Sequence, residues 1–233
     1  MHTMHRREFL KQSKRTTLGM AAGVTLLANA ASVRGAPAAD KVLLAAVGVR
    51  GRGANLAAGF LQRGGCEYAY ICDPDTKLFE SRAKQIAEQQ GGKMPKCVKD
   101  FRQALDDKQV TAIVSATPDH WHALSTVWAC QAGKDVYVEK PPTHNCWEGQ
   151  KMIEAARKYG RIVQVGTQNR SAAYNMSAKK YIDEGKLGDI HLVKVYNMKL
   201  WANRPPVPDS DPPPGLDWDL WNGPAPDCRY NPA

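Results

Sequence analysis

In two short segments of this 233-residue chain, an apolar run is followed directly by side chains that can donate or accept protons. The first reads Ala-Thr-Pro-Asp-His-Trp-His over 116–122, and the second reads Gly-Lys-Asp-Val-Tyr-Val-Glu-Lys-Pro over 133–141. Both are predicted to contain the carboxyl end of a β-strand. Open parallel sheets bind ligands just outside such ends, so the two segments predict an active-site rim. Lys140 is the leading candidate for the reactive group.

A glycine-rich turn, Gly-Val-Arg-Gly-Arg-Gly over 48–53, follows the first predicted strand and precedes a helix. A dinucleotide-binding fingerprint, G-x-G-x-x-G, belongs at this place. Gly48 fits the tight turn, and Gly53 fits the close packing of helix on strand. Arg50 stands where a side chain hinders the approach of a pyrophosphate, although Arg50 or Arg52 can pair with that group by charge. A plain glycine-rich connection is the alternative.

Asp73 ends the second predicted strand, 25 residues after Gly48. A carboxylate there can accept hydrogen bonds from the adenosine ribose hydroxyls and repels a 2′-phosphate. The sequence therefore predicts NAD as cofactor in preference to NADP, and Asp75 adds a second negative charge. In the alternative interpretation Asp73 caps the following helix, and the two roles are compatible.

From Lys41 onward, short β-type runs alternate with amphipathic segments of helical length, which is typical of a parallel sheet covered by helices. We predict an α/β fold, a Rossmann-type doubly wound parallel sheet, over residues 40–170. Helix boundaries are indicated by a capping box at Asn145 and by Gly133 and Gly160. The strands are expected at 41–48, 67–72, 110–116, 135–139 and 162–166, and the helices near 53–62, 76–89, 101–106, 119–132 and 146–159.

Residues 171–233 are predicted to begin a second α+β domain with an open, mostly antiparallel sheet. A helix over about 172–184 leads to a strand at 190–196, whose alternating polar and apolar residues are typical of a sheet with one wet face. The proline-rich remainder leaves no room for partner strands, so we expect this domain to be incomplete. Four aromatic residues there either form a stacking platform for sugar rings or pack the proline-rich segment onto the body. They are Trp201, Trp218, Trp221 and Tyr230.

Residues 1–39 are predicted to be an export signal. The run Arg-Arg-Glu-Phe-Leu-Lys over 6–11, followed by a mildly apolar run over 18–31, resembles a twin-arginine signal peptide. An amphipathic N-terminal helix is the alternative, and the run is too short and too weakly apolar for a stable membrane span. We expect an exported or periplasmic protein that uses the twin-arginine export machinery.

Composition argues against a nucleic-acid partner. The formal net charge is +9, but four of these net charges lie within residues 1–30, and no basic stripe with interleaved aromatics remains elsewhere. The six cysteines form no CxxC pair and no Cys/His cluster, so no metal site is predicted. Cys66 and Cys72 flank one predicted strand, about 20 Å apart and too distant for a disulfide. We expect free, mostly buried thiols.

Four ordered motifs resemble those of the Gfo/Idh/MocA oxidoreductases, a large family that acts mainly on sugars and polyols. They are the segments at 116–122 and 133–141, Gly-Thr-Gln-Asn-Arg at 166–170, and Gly-Lys-Leu-Gly-Asp-Ile at 185–190. The likeness runs from about Lys41 to the end of the chain. It implies an NAD-dependent enzyme with a small saccharide or polyol substrate, and a homo-oligomer when full length.

The resemblance also implies roles for individual residues. In the Glu-Lys-Pro signature at 139–141 the lysine sits near the reacting carbon and relays the hydroxyl proton. Thr117 and Pro118 would lie beside the nicotinamide ribose, and His122 matches the family's histidine at that helix start. The predicted catalytic residues are Lys140, Glu139 and His122, although Lys140 is alternatively a solvated strand-end lysine. The predicted cofactor-binding residues are Gly48, Arg50, Gly51, Arg52, Gly53, Asp73, Thr117, Pro118, His122, Glu139, Lys140 and Gln168, with Arg170 and Lys140 as substrate contacts.

Three functions stay open at this point. The first is an NAD-dependent oxidoreductase that transfers a hydride between a sugar or polyol hydroxyl carbon and nicotinamide. The second is an NAD-dependent glycoside hydrolase similar to family 109, which oxidises the sugar transiently, eliminates the aglycone and reduces the sugar again. The third is an inactive cofactor-binding fragment. Many family members carry an Asp and, one helical turn later, a His in the second domain, and no such pair follows Gly188. His191 is the only later histidine.

Overall fold

The computed structural model describes residues 41–196 and 205–232 of the chain, so the predicted export signal lies outside the described residues. Six parallel strands form one sheet in the order β3-β2-β1-β4-β5-β6. This is the strand order of a Rossmann fold, and the predicted doubly wound α/β fold is confirmed. The strands are β1 Val42–Val47, β2 Cys66–Cys72, β3 Lys96–Val98, β4 Ala112–Ser115, β5 Asp135–Glu139 and β6 Val163–Gly166.

Helices pack on both faces of the sheet, and two apolar clusters fill the space between. Neighbouring residues of a strand point to opposite faces, so Ala45 joins one cluster and Ala46 the other. The helices are α1 Gly51–Arg63, α2 Phe79–Gln89, α3 Arg102–Asp106, α4 Asp119–Gln131, α5 Cys146–Tyr159, α6 Ala173–Asp183 and α7 Trp218–Asn222. Short 3₁₀ turns cover Thr76–Leu78 and Gln168–Ser171.

Helix α5 begins and ends at the residues that its sequence indicated. Asn145 accepts a hydrogen bond from the backbone N–H of Glu148 at 3.0 Å, and the Glu148 carboxylate accepts one from the N–H of His144 at 2.8 Å. Gly160 ends the helix with φ at +61°, in the left-handed region that glycine tolerates best. The predicted cap at Asn145 and the stop signal at Gly160 are confirmed, while the returning bond of Glu148 reaches the residue before the cap instead of the cap itself.

Two predicted features of the sheet were wrong. Strand β3 was missed, because three residues are too few to show a periodic pattern. The strand expected at 190–196 does not form within the described residues, where 190–196 has no regular secondary structure and is exposed. An alternating pattern makes a strand only when a partner accepts its hydrogen bonds, and no described segment does so there.

The cysteine side chains are distributed between the core and the surface of the protein. No disulfide joins any of the cysteines in the described part of the chain; Cys72 and Cys130 are buried, and Cys146 and Cys228 are exposed. The expectation of mostly buried thiols is therefore wrong for the last two. Burial raises the pKa of the Cys72 thiol, which keeps it protonated and unreactive. Among the described helices, none is long and apolar enough to cross a bilayer.

Candidate functional site

A cavity of about 540 Å³ opens at the carboxyl ends of β1, β2 and β4. It lies beside the point between β1 and β4 where the strand order reverses, which is where open α/β sheets bind their ligands. Its volume falls within the ordinary range for small-molecule and cofactor sites. Five of the predicted cofactor-binding residues line it: Gly48, Arg50, Asp73, Thr117 and Pro118.

The glycine-rich turn is built as a dinucleotide site requires. Gly48 has φ at +77°, and a Cβ there would lie 2.8 Å from the carbonyl oxygen of Ala116. A Cβ on Gly53 would lie 1.8 Å from the carbonyl oxygen of Gly48, so the turn packs directly on the helix. Gly51 faces open space at the start of α1, and no side chain caps this helix. A pyrophosphate therefore fits at the helix N-terminus.

Asp73 is buried at the end of β2, with 6% of its surface exposed. Its Oδ2 accepts a hydrogen bond from the N–H of Val49 at 2.9 Å, and its Oδ1 accepts one from the N–H of Asp75 at 3.0 Å. Burial raises the pKa of this carboxyl, and the two N–H groups and Arg50 act in the opposite direction. Each oxygen keeps a lone pair for a ligand hydroxyl.

Asp75 performs the capping role that was considered for Asp73. Its side chain accepts a hydrogen bond from the N–H of Lys77 at 3.1 Å and caps the 3₁₀ turn over Thr76–Leu78. It also forms an ion pair with Arg50, the arginine of the glycine-rich turn. The positive charge of Arg50 is therefore matched beside the cavity, and the carboxylate of Asp73 is left for the ligand.

A second cluster of predicted site residues lies on the other side of the glycine-rich turn. The Nε and Nη2 atoms of Arg52 lie 2.7 and 2.6 Å from Oε1 of Glu139, whose side chain is only 5% exposed. In the amide orientation that satisfies both ends, Gln168 accepts from Arg52 at 3.1 Å and donates to the Gly166 carbonyl at 2.6 Å. Sequence reasoning missed Tyr137, whose hydroxyl lies in this cluster beside Arg52.

His122 lies beneath the rim and is 1% exposed. Its Nδ1 is 2.5 Å from the carbonyl oxygen of Pro141, and its Nε2 is 2.9 Å from that of Thr117. The two segments singled out from the sequence are thus joined through one imidazole ring. A ring with both nitrogens engaged by backbone carbonyls is suited to holding these segments together.

Lys140 follows β5 and is exposed. Its backbone N–H donates to Oε2 of Glu139 at 3.3 Å, while the Glu139 carboxylate pairs with Arg52, and within the described part of the chain the ammonium group of Lys140 forms no ion pair. Arg170 is also exposed, in the 3₁₀ turn over Gln168–Ser171. Both cations are therefore accessible to a substrate, whereas Glu139 and His122 are covered by protein.

The C-terminal segment contributes a wall of the cavity that sequence reasoning did not anticipate. We call residues 205–232 the arm. Lys99 and Phe101, which follow the missed strand β3, also line the cavity. The aromatic residues of the arm were expected either to stack on sugars or to pack onto the body. Trp221 contacts His120 of the body with ring centroids 5.3 Å apart, whereas the ring contacts of Trp218 are with Trp221 and Tyr230 of the arm itself. Trp201 lies outside the described residues. The arm residues that line the cavity are Leu216, Trp218, Leu220, Trp221, Tyr230, Asn231 and Pro232.

Residues 42–167 match the sequence model of the oxidoreductase family with an NAD-binding Rossmann fold, the Gfo/Idh/MocA family. The match covers more than half of the chain and contains the glycine-rich turn, Asp73 and both rim segments. The chain therefore belongs to this family, and residues 42–167 form its NAD-binding domain.

Individual relatives agree with this assignment. An α-N-acetylgalactosaminidase of Shewanella oneidensis is 28% identical over 180 residues, covering 68% of this chain and 39% of that protein. The scyllo-inositol 2-dehydrogenase (NAD(+)) of Bacillus subtilis is 31% identical over 124 residues, covering 53% of this chain and 34% of that enzyme. This chain thus spans well under half the length of either relative.

Among solved structures, the WlbA dehydrogenase of Bordetella pertussis in complex with NADH and UDP-GlcNAcA superposes with a TM-score of 0.57 at 26% sequence identity. The superposition covers 64% of this chain and 42% of that one. The likeness agrees with the cofactor-binding fold described above.

Proposed function

We propose that this chain belongs to an NAD-dependent oxidoreductase that acts on a hydroxyl carbon of a sugar or polyol. The observation that carries the proposal is the arrangement of charged groups at the rim. Arg52 holds Glu139, Asp75 holds Arg50, and the ammonium group of Lys140 is exposed without an ion pair in the described residues. Lys140 is therefore the rim group that is both accessible and able to exchange a proton with a substrate hydroxyl.

In this proposal bound NAD supplies the hydride acceptor or donor, and the chain binds, orients and moves the proton. In its neutral amine form Lys140 accepts the hydroxyl proton at Nζ when the alcohol is oxidised, and the resulting ammonium group gives that proton back when the carbonyl is reduced. We propose positioning roles for Glu139 and His122 in place of the catalytic roles predicted from sequence. Glu139 is covered and paired with Arg52, and the ring of His122 is held between two carbonyl oxygens.

The test of the Lys140 assignment compares Lys140→Met with Lys84→Met, which removes an exposed lysine from α2. NADH formation is measured with a panel of free sugars and polyols, and NAD affinity is measured by calorimetry. Lys140→Met should lower kcat by about 10²- to 10⁴-fold, with NAD affinity nearly unchanged. Lys84→Met should match the parent protein. Undiminished turnover in Lys140→Met would remove the lysine from the mechanism.

The acidic end of β2 favours NAD over NADP. The buried carboxylate of Asp73 and the paired carboxylate of Asp75 both lie in the cavity lining, and a 2′-phosphate placed there would meet like charge. NAD should bind at least about tenfold more tightly than NADP, and Asp73→Ser should reduce that preference. Equal affinities for the two cofactors in the parent protein would contradict this assignment.

The similarity to the Shewanella α-N-acetylgalactosaminidase supports a second candidate function. In that case the same rim would oxidise a glycoside transiently and return the hydride after the aglycone has left. Release of an aryl leaving group from an aryl glycoside, without net formation of NADH, would identify this reaction. Net NADH from a free sugar would identify the dehydrogenase. An inactive chain would retain NAD and turn over neither class of substrate.

We also propose that the protein is exported through the twin-arginine pathway and forms a homo-oligomer when full length. The proposal of export rests on the arginine pair at 6–7 and the apolar run that follows it. Replacing both arginines by lysine should leave the protein in the cytoplasm of a host with this pathway. Periplasmic recovery of the double variant would refute this route.

A further inference from the structure

The cavity at the carboxyl ends of the strands has two walls of different origin. The inner wall comes from the Rossmann domain and carries Asp73, the predicted partner of the adenosine ribose. The outer wall comes from the arm, which lies wholly outside residues 42–167 that match the family. The arm is therefore placed to contact the ligand that Asp73 holds.

The arm is fixed next to Asp73 by backbone hydrogen bonds. The N–H of Thr76 donates to the carbonyl oxygen of Gly215 at 3.0 Å, and the N–H of Asp217 donates to that of Pro74 at 3.0 Å. Together they form an antiparallel bridge between Asp75 and Leu216. Because this bridge immediately follows β2, the start of α7 is held at the same edge of the cavity as the Asp73 carboxylate.

A second anchor holds the other end of α7. The indole N–H of Trp121 lies 3.1 Å from the carbonyl oxygens of both Leu220 and Trp221, and Nε2 of His120 lies 2.9 Å from the latter. Gly223 follows with φ at +49°, and a Cβ there would lie 2.1 Å from the Trp121 ring. The arm therefore packs closely against α4 at this end of α7.

The face that the arm presents to the cavity is aromatic, and its nearby charges are paired. Trp218 stacks on Trp221 with ring centroids 4.8 Å apart and meets Tyr230 edge to face at 5.1 Å. Its indole N–H is used by the carbonyl of Cys228 at 2.8 Å. Asp217 forms an ion pair with Lys99 at 3.5 Å. An apolar ring system suits this wall, and a hydroxylated sugar suits the Asp73 side.

We propose that the arm forms the outer wall of the adenosine subsite, and that Trp218 contacts the adenosine half of the bound dinucleotide. This inference rests on the NAD-binding role given above and assigns a part of that site to residues beyond the family match. NAD is then enclosed between the sheet and the arm. The arm is anchored through Gly215, which lies 139 residues after its partner Thr76 in the chain. Contacts on both sides should slow the release of NAD.

The test measures the affinities of NAD and of ADP-ribose, which carries the adenosine half without nicotinamide, by calorimetry. Trp218→Ala should weaken both by a similar factor of about tenfold or more, and should raise the rate of NAD release in stopped-flow displacement. The matched control is Trp147→Ala, which removes an indole that is 67% exposed on α5 and does not line the cavity. Its affinities should equal those of the parent protein.

Trp218→Phe provides a second measurement that does not depend on the stability of the alanine variant. It keeps a flat ring in the arm, so ADP-ribose affinity should return most of the way to that of the parent protein, while the ligand-induced quenching of indole fluorescence should shrink. Unchanged affinities in folded Trp218→Ala would overturn the arm proposal and leave the NAD function standing, as would a loss for NAD without a loss for ADP-ribose. A parent protein that binds neither ligand would overturn both.

Discussion

The pair formed by Arg52 and Glu139 yields a prediction about stability. Glu139 has a side chain that is 5% exposed, whereas that of Arg52 is 43% exposed. The substitution Arg52→Met keeps much of the apolar part of the side chain but eliminates the guanidinium group. The buried carboxylate of Glu139 then loses its cationic partner. Removing one member of a fully buried pair costs roughly 3–5 kcal/mol, because the other charge is left uncompensated.

The expected loss here is smaller, because the guanidinium reaches solvent and water can partly replace it. We expect Arg52→Met to lower the free energy of unfolding by about 2 kcal/mol. For a chain of this size that corresponds to a fall in Tm of about 4–8 °C. Adding Glu139→Gln to Arg52→Met removes the stranded charge and should restore about 1 kcal/mol.

The assay is urea denaturation of the parent, both single variants and the double variant, evaluated as a double-mutant cycle. Lys179→Met provides the control, because it breaks the pair with Asp183 on α6, in which both side chains are exposed. That variant should change the stability by less than about 0.5 kcal/mol. Additive losses for Arg52→Met and Glu139→Gln would refute the coupling that the structure indicates.

Further outcomes follow from the turn, the cavity and the β6 edge. Gly53→Ala, whose Cβ would lie 1.8 Å from a backbone oxygen, should abolish NAD binding and lower stability, whereas Gly59→Ala in the same helix meets nothing within 4 Å and should gain about 0.5–1 kcal/mol; thermal melts with calorimetry check both. Burial raises the pKa of Asp73 above its ordinary 3.8, so the folded state keeps a proton that the unfolded chain releases. Its contribution to stability should fall as pH rises just above 3.8, and urea titrations across pH should show this component missing in Asp73→Asn. Gly166→Ala would place a Cβ 2.8 Å from the Glu139 carboxylate and should cost about 1–3 kcal/mol in the same urea assay.

Much of the cofactor half of the site was predictable, because its signals are local. The turn at 48–53 needs glycine where the backbone has positive φ or where a Cβ would clash with a carbonyl oxygen. Such glycines can be recognised in the sequence by their spacing alone. Asp73 was found because a buried strand of regular period ends just before it. Strand β3 and the loss of the strand at 190–196 were not predictable. The first is too short to show a period, and the second depends on a partner strand.

By itself, the sequence determined the alternation of strands and helices, the glycine-rich turn, the acid after β2 and the Glu-Lys-Pro end of β5. Each of these depends on residues close together in the chain. Tertiary structure decided which charges pair and which residues enclose the cavity. Arg52 and Glu139 are 87 positions apart, and Trp121 and Leu220 are 99 positions apart. Such pairs meet only because the sheet order brings β1, β4 and β5 together and gives the arm a place to dock.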